Sequence, residues 1–289
     1  MSTRIVKSVW AAVKNLDPDS VQRESEQDVL IGLRTTSADA AAEIEHFLCP
    51  ASLSPDRRME SLQRVYRPGE PGSPATFDIE IYEAGMRRPN GAFGFQPGHE
   101  DRTVRAILAA REDLHLPLAR HFPPFRKPVV DAIIHKVARE NALFSLATAL
   151  PDIIPSVMML PWAVGQFASD TAVLTANQVR MAFLIAAASD HEVGYSHQKG
   201  EIGSIMAGAF GWRAIARQLI GKIPMGGGLI PKAAIAYAGT LVAGRVMEKL
   251  YRDGYTYTKE ERQDAYESAY EAGKRVAAEL VEGFRSKTT

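Results

Sequence analysis

The hydrophobic pattern changes character twice along the chain. Up to about residue 130, apolar and polar positions alternate in short stretches broken by proline and glycine. From about 141 to 247, Ala, Leu, Ile, Val, Met and Gly dominate, and from Arg252 onward charge returns. Ile5, Val9, Ala12 and Val13 give the spacing of one amphipathic helix over 5–14, and Leu16-Asp-Pro-Asp-Ser breaks it. Residues 28–33 read as a short buried strand. Ser37 or Asp39 is placed to cap a helix over 40–48, and Cys49-Pro50 ends it. A turn-rich loop at 67–74 leads to 76–82, where apolar and acidic side chains alternate as on a half-exposed strand. Residues 104–111 have a helical pattern. Together, residues 25–120 are expected to form a small α/β unit.

The segment 122–128 carries three prolines and is expected to act as a rigid junction that no continuous helix crosses. Beyond it, 129–150, 171–189, 201–220 and 231–250 read as helices. Prolines at 151, 155 and 161 interrupt the chain between the first two, and 190–198 is a polar loop. Gly254 is placed to terminate the last apolar helix. Thr258 is placed to cap a charged helix over 259–285, with Tyr266, Tyr270, Val276, Ala277 and Leu280 on about one side. The fold class is therefore mainly α: a helical C-terminal domain of about four to six helices preceded by a small α/β unit. The expected divisions are 1–128 for the α/β unit with its N-terminal helix, 129–254 for the apolar helical domain, and 255–289 for the charged helix.

A membrane-spanning helix needs about 20 largely apolar residues. Residues 142–167 and 223–246 have that length, but the first holds Asp152 and three prolines and the second holds Lys232 and Arg245. Residues 172–188 are shorter and carry Asn177, Gln178 and Arg180. A charge at mid-bilayer costs about 2.5–3.5 kcal/mol on insertion scales, so none is a clean span. Two readings stay open: a bundle whose core explains the apolarity, or broken hairpins that dip into a bilayer. Small residues four apart, at Gly203, Ala207 and Gly211 and at Ala236, Thr240 and Gly244, serve close helix contact in either.

Charge is balanced, with 34 Lys and Arg against 34 Asp and Glu, and this argues against a dedicated nucleic-acid binder. One cysteine, Cys49, excludes an internal disulfide framework and is expected to be a buried, small apolar residue. The start of the sequence lacks the apolar core of a secretory signal.

No phosphate-binding loop, nucleophile elbow or zincin pattern occurs, and no cofactor is implied. The order of strand 29–33, Arg34-Thr-Thr-Ser37 and helix matches a phosphate-loop position, but the glycines and the lysine are missing. His191, Glu192 and His197 form the densest group of metal-ligand types; the two histidines are six apart rather than four, and the plainer reading is a polar interhelical loop. Asp152, Asp170, Asn177 and Arg180 are polar residues among apolar neighbours. If buried they must be paired, so an interhelical polar network is expected. Arg213, Arg217 and Lys222 form a basic group that would suit anionic lipid headgroups if the chain met a membrane, or else a solvated helix face.

The motifs LTANQVRM (174–181), IAAA (185–188), IMAGAFGWRAIAR (205–217), IGKIP (220–224) and IAYAGT (235–240) stand in an order that resembles the bacterial family called domain of unknown function number 697. The resemblance covers residues 143–251. It implies a helical domain often attached to Era-like GTPases, with some members assigned to the inner membrane and no established catalytic residues. This chain departs from the GTPase-linked members: its N-terminal part lacks the phosphate loop, the N-K-x-D motif and the D-x-x-G motif. The expectation is a non-enzymatic, membrane-associated accessory protein of the bacterial inner membrane, on its cytoplasmic side, or of the cytoplasm, acting with a GTPase or an envelope complex. The alternatives are a soluble helical scaffold or homo-oligomerisation module, and a metal-dependent enzyme.

Overall fold

A computed structural model of the chain describes residues 3–148, 170–208 and 228–288. The described residues are mainly helical, with one small parallel sheet. They divide into two compact units, an α/β unit of Ser20–Val130 with Ala187–Glu192 and a helical unit of Met1–Asp19, Asp131–Ala186 and Val193–Thr289. Ten helices are bounded within them, more than the four to six expected, because the α/β unit is itself largely helix.

In the α/β unit the chain runs α2 (Pro18–Ser25), β1 (Ile31–Arg34), α3 (Ala38–Leu48), α4 (Pro55–Leu62), β2 (Val65–Tyr66), β3 (Ile79–Tyr82), β4 (Phe93–Gly94), α5 (Glu100–Ala110) and α6 (His115–His121). Ser37 caps α3 as expected, its hydroxyl accepting from the Ala40 amide at 3.1 Å. The strands are all parallel in the order β2-β1-β3-β4, with Ile31 opposite Ile79 and Arg34 opposite Tyr82. Parallel sheets bury both faces, and Ile31, Gly32 and Leu33 are all buried. Gly32 stands where the core leaves no room for a side chain. A Cβ there would stand 2.7 Å from the Phe77 ring. Ile31, Leu33, Ile79 and Ile81 join Ile44, Leu48, Ile107 and Phe125 in a single core. Cys49 lies in it as expected, and burial pushes its thiol up to about 12, so it stays protonated.

The expected proline junction is corrected: α7 (Pro123–Ala147) runs through it. Pro123 and Pro124 stand in the first turn, where the backbone N–H has no intrahelical partner to lose. Pro128 removes only one hydrogen bond from the interior, and Phe122, Phe125, Val129 and Val130 around it are all buried.

The helical unit contains α1 (Thr3–Lys14), most of α7, α8 (Asp170–Ala188), helical residues 199–208, α9 (Leu229–Asp253) and α10 (Lys259–Thr288). Gly254 ends α9 in the left-handed conformation at φ 79°, its N–H bonded to the Leu250 carbonyl. Thr258 and Glu261 cap α10 reciprocally. The Glu261 amide donates to the Thr258 hydroxyl at 3.1 Å and the Thr258 amide to the Glu261 carboxylate at 2.8 Å. Tyr266, Ala269 and Ala277 on α10 are buried against Ala233, Tyr237, Ala238 and Val242 of α9. Gly244 meets Ile134 of α7, where a Cβ would stand 2.7 Å from the side chain, whereas Gly203 faces open space.

Helix α10 packs tightly on α9 at Gly273, where an added Cβ would lie 2.8 Å from the Ala234 carbonyl oxygen. Backbone cannot yield as a side-chain end can. Gly273→Ala therefore lowers stability by about 1–3 kcal/mol despite its better helix propensity, and lowers Tm by several degrees in a calorimetric scan.

Candidate functional site

In an open α/β sheet, ligands bind beyond the carboxyl ends of the strands, where strand order reverses. Here that point lies between β1 and β3, since the chain passes from β1 to β2 on one side and then to β3 on the other. The loop after β1 presents the Thr36 amide and hydroxyl, and both donate to the Glu83 carboxylate from the loop after β3, at 2.6 and 2.7 Å. Those two donors, the amide first, hold the Glu83 carboxyl below its ordinary range. Nearby, Arg34 pairs with Glu80 at 2.8 Å. An acidic side chain of the protein thus closes on the loop that follows β1 at the switch point.

The second polar concentration is a seam inside the helical unit. The Thr240 hydroxyl on α9 accepts from Asn141 of α7 at 2.8 Å and from Gln178 of α8 at 3.1 Å, and donates to the Ala236 carbonyl at 2.8 Å. Asn141 in turn accepts from Asn177 at 2.9 Å. Asn177 and Arg180 both donate to Glu140 at 3.2 Å, and Arg180 also donates to the Asn177 carbonyl oxygen at 3.0 Å. Asn141, Asn177 and Thr240 are fully buried. Of the residues anticipated for an interhelical network, Asn177 and Arg180 meet here. Asp170 does not; it binds Lys232 at 3.0 Å and Thr148 at 3.2 Å, half-exposed at the start of α8. Asp152, Arg213, Arg217 and Lys222 lie outside the described residues. Sequence reading did not single out Glu140 or Asn141, and it noted Gln178 only as a polar residue of 172–188 and Thr240 only as a small residue, although Gln178 and Thr240 each stand in a largely apolar run.

His191 and Glu192 belong to the α/β unit and His197 to the helical unit. Among the described residues, no group of three or more His, Cys, Asp or Glu side chains could hold a metal ion. The His191 carbonyl receives Arg120, and three arginines, Arg57, Arg120 and Arg126, converge on Asp190 at 3.0, 3.9 and 3.5 Å. Asp190 has φ 64°, and its amide returns to Ala187, so the arginines fix the turn that leaves α8. Among the described residues, one helix, α8, is long and apolar enough to cross a membrane, and 78% of its apolar window is buried inside the structure.

No protein-family model matches the chain, and neither a curated protein nor a solved structure does.

Replacing Thr240 by Val leaves the Asn141 and Gln178 amides without their shared acceptor at nearly unchanged volume. The expected loss is about 2–3 kcal/mol in urea denaturation, with Thr240→Ser recovering most of it. In the α/β unit, His121 is buried and its Nε2 has no hydrogen-bond partner among the described residues. Burial, then the Arg64 charge, lowers its pKa to about 4. The unfolded chain therefore takes up the proton first. The neutral-histidine stabilisation is complete above about pH 6.5 and is lost as pH falls toward 4, by about 2–3 kcal/mol. A pH series of urea melts checks this, and His121→Phe flattens that part of the profile.

Proposed function

We propose that the protein is a non-enzymatic accessory or scaffold protein, working by contact with a protein partner rather than by turning over a substrate. The observation that carries this reading is the state of its polar side chains. At the sheet's switch point Glu83 accepts from Thr36, and in the helical unit the seam residues Glu140, Asn141, Asn177, Arg180 and Thr240 bind one another. Catalytic groups need an unspent proton, lone pair or charge facing a substrate; these are engaged in holding elements together.

The resemblance of residues 143–251 to the GTPase-associated domain of unknown function number 697 supports a GTPase as the partner class. In this reading the chain is the non-catalytic member of the pair. Burial of most of α8 favours a helical bundle that keeps its own core over one that opens into a bilayer. A bundle of this kind suits the cytoplasm, or the cytoplasmic side of the inner membrane reached through a partner.

Three measurements on the purified full chain test the proposal. Detergent-free size exclusion with light scattering is expected to give one discrete species, calorimetric titration with GTP–Mg to give no saturable heat, and elemental analysis to find no stoichiometric metal. Stoichiometric nucleotide or metal coupled to turnover overturns the non-enzymatic reading. Recovery only from carbonate-washed membranes overturns the self-contained bundle.

A further inference from the structure

We propose that Arg57, Arg120 and Arg126 form a binding site for free phosphate, and that the Asp190 carboxylate is the resident ligand with which phosphate competes. All four residues belong to the α/β unit. Arg57 stands on α4, Arg120 on α6, Arg126 near the start of α7, and Asp190 in the turn that follows α8.

The resident carboxylate fits its three cations unevenly. Arg57 reaches Asp190 Oδ1 at 3.0 Å, whereas Arg126 stands 3.5 Å from Oδ2 and Arg120 3.9 Å from Oδ1. A charge-assisted N–H···O bond measures about 2.7–2.9 Å, and two other pairs of the same unit, Arg34–Glu80 and Arg67–Glu45, close to 2.8 Å. A carboxylate presents two oxygens in one plane and a single charge. Phosphate presents four oxygens in a tetrahedron and up to two charges, and the planar guanidinium fork suits it. The larger anion reaches all three arginines where Asp190 closes on one.

Two of the cations are held without Asp190. Arg126 donates to the Ala119 and Arg120 carbonyls, both at 3.1 Å, and Arg57 to Glu60 at 2.8 Å. Glu26 lies 3.7 Å from Arg120, which is 8% exposed, and among the described residues Arg126 pairs with Asp190 alone. Burial lowers the Arg126 pKa, Asp190 raises it, and Arg57 and Arg120 lower it again, so the cluster is short of negative charge at Arg126. Asp190 makes its contact from φ 64°, a backbone conformation uncommon outside glycine. Exchange of its carboxylate for phosphate therefore frees the turn over 187–192, and the cluster acts as a phosphate-sensitive latch on that turn. This assignment is independent of whether the chain serves a GTPase.

The test is calorimetric titration of the full chain with inorganic phosphate at constant ionic strength set by chloride. No nucleotide is added, so the outcome is separate from that of the GTP titration. Asp190→Gly removes the competing carboxylate and keeps the turn, because glycine takes φ 64° freely. The expected result is one-to-one binding to Asp190→Gly at least tenfold tighter than to the wild type, with phosphate but not chloride raising the variant's Tm. Arg126→Gln in the Asp190→Gly chain weakens binding at least tenfold. Asp190→Asn keeps the side chain's shape without its charge, binds phosphate at least threefold tighter than the wild type, and serves as the test should the glycine variant misfold. The proposal is overturned by no saturable binding to either Asp190 variant, by equal affinity in these variants and the wild type, or by affinity that Arg126→Gln leaves unchanged.

Discussion

One hydroxyl group organises the helical unit. Thr240 receives a hydrogen bond from α7 and another from α8 while standing on α9, and it passes its own proton back to the backbone of α9. Three otherwise apolar helices therefore share a single fixed rotation about their axes. Apolar packing alone tolerates sliding and repacking, whereas a buried donor without its acceptor does not. The seam thus supplies register to a region whose composition, rich in Ala, Gly and Leu, supplies mostly adhesion. Its outer end, Glu140 with Arg180, is partly solvated, so the chain of bonds runs from the interior to the surface without an orphan in between.

In the α/β unit the loops that follow β1 and β3 are tied by side chains. The order β2-β1-β3-β4 puts the switch point between β1 and β3, and there the Glu83 carboxylate accepts from Thr36. That carboxylate joins the loop after β1 to the loop after β3. Arg34 and Glu80 add a second link between the same strands. The arginines on Asp190 play a comparable part elsewhere in that unit, since three charged side chains hold one left-handed residue.

Much of this was legible in the sequence, and the exceptions are instructive. Ser37, Gly254 and Thr258 announced their caps because capping is local chemistry. Helices α8, α9 and α10 announced themselves by length and period. Helix α4 was missed although Ser54 and Pro55 form a proper start, because its only large apolar residues are Met59, which is exposed, and Leu62 at its end, too few to mark a face. Strands β2 and β4 have two residues each, too few for alternation to register. Pro128 was read as a stop because a single lost hydrogen bond looks decisive in sequence and is minor beside four buried side chains. The candidate site was half legible. A polar residue in an apolar run signals that a partner exists, but the identity of that partner is a tertiary fact; Asp170 and Asn177 carry the same signal, and only the latter joins the seam.

The capping of α9 by α10 has a consequence for biosynthesis. Helix α9 leaves the ribosome before the segment that covers Ala233, Ala234 and Ala238. The thirty residues of α10 take roughly two to six seconds to translate at about 5–20 residues per second. During that interval a greasy helical surface is present on the nascent chain with no mate in cis. The polar stretch Tyr255-Thr-Tyr-Thr258 and the reciprocal cap at Thr258 start α10 promptly once it emerges, so the cell's holding chaperones need to shield that surface for seconds only.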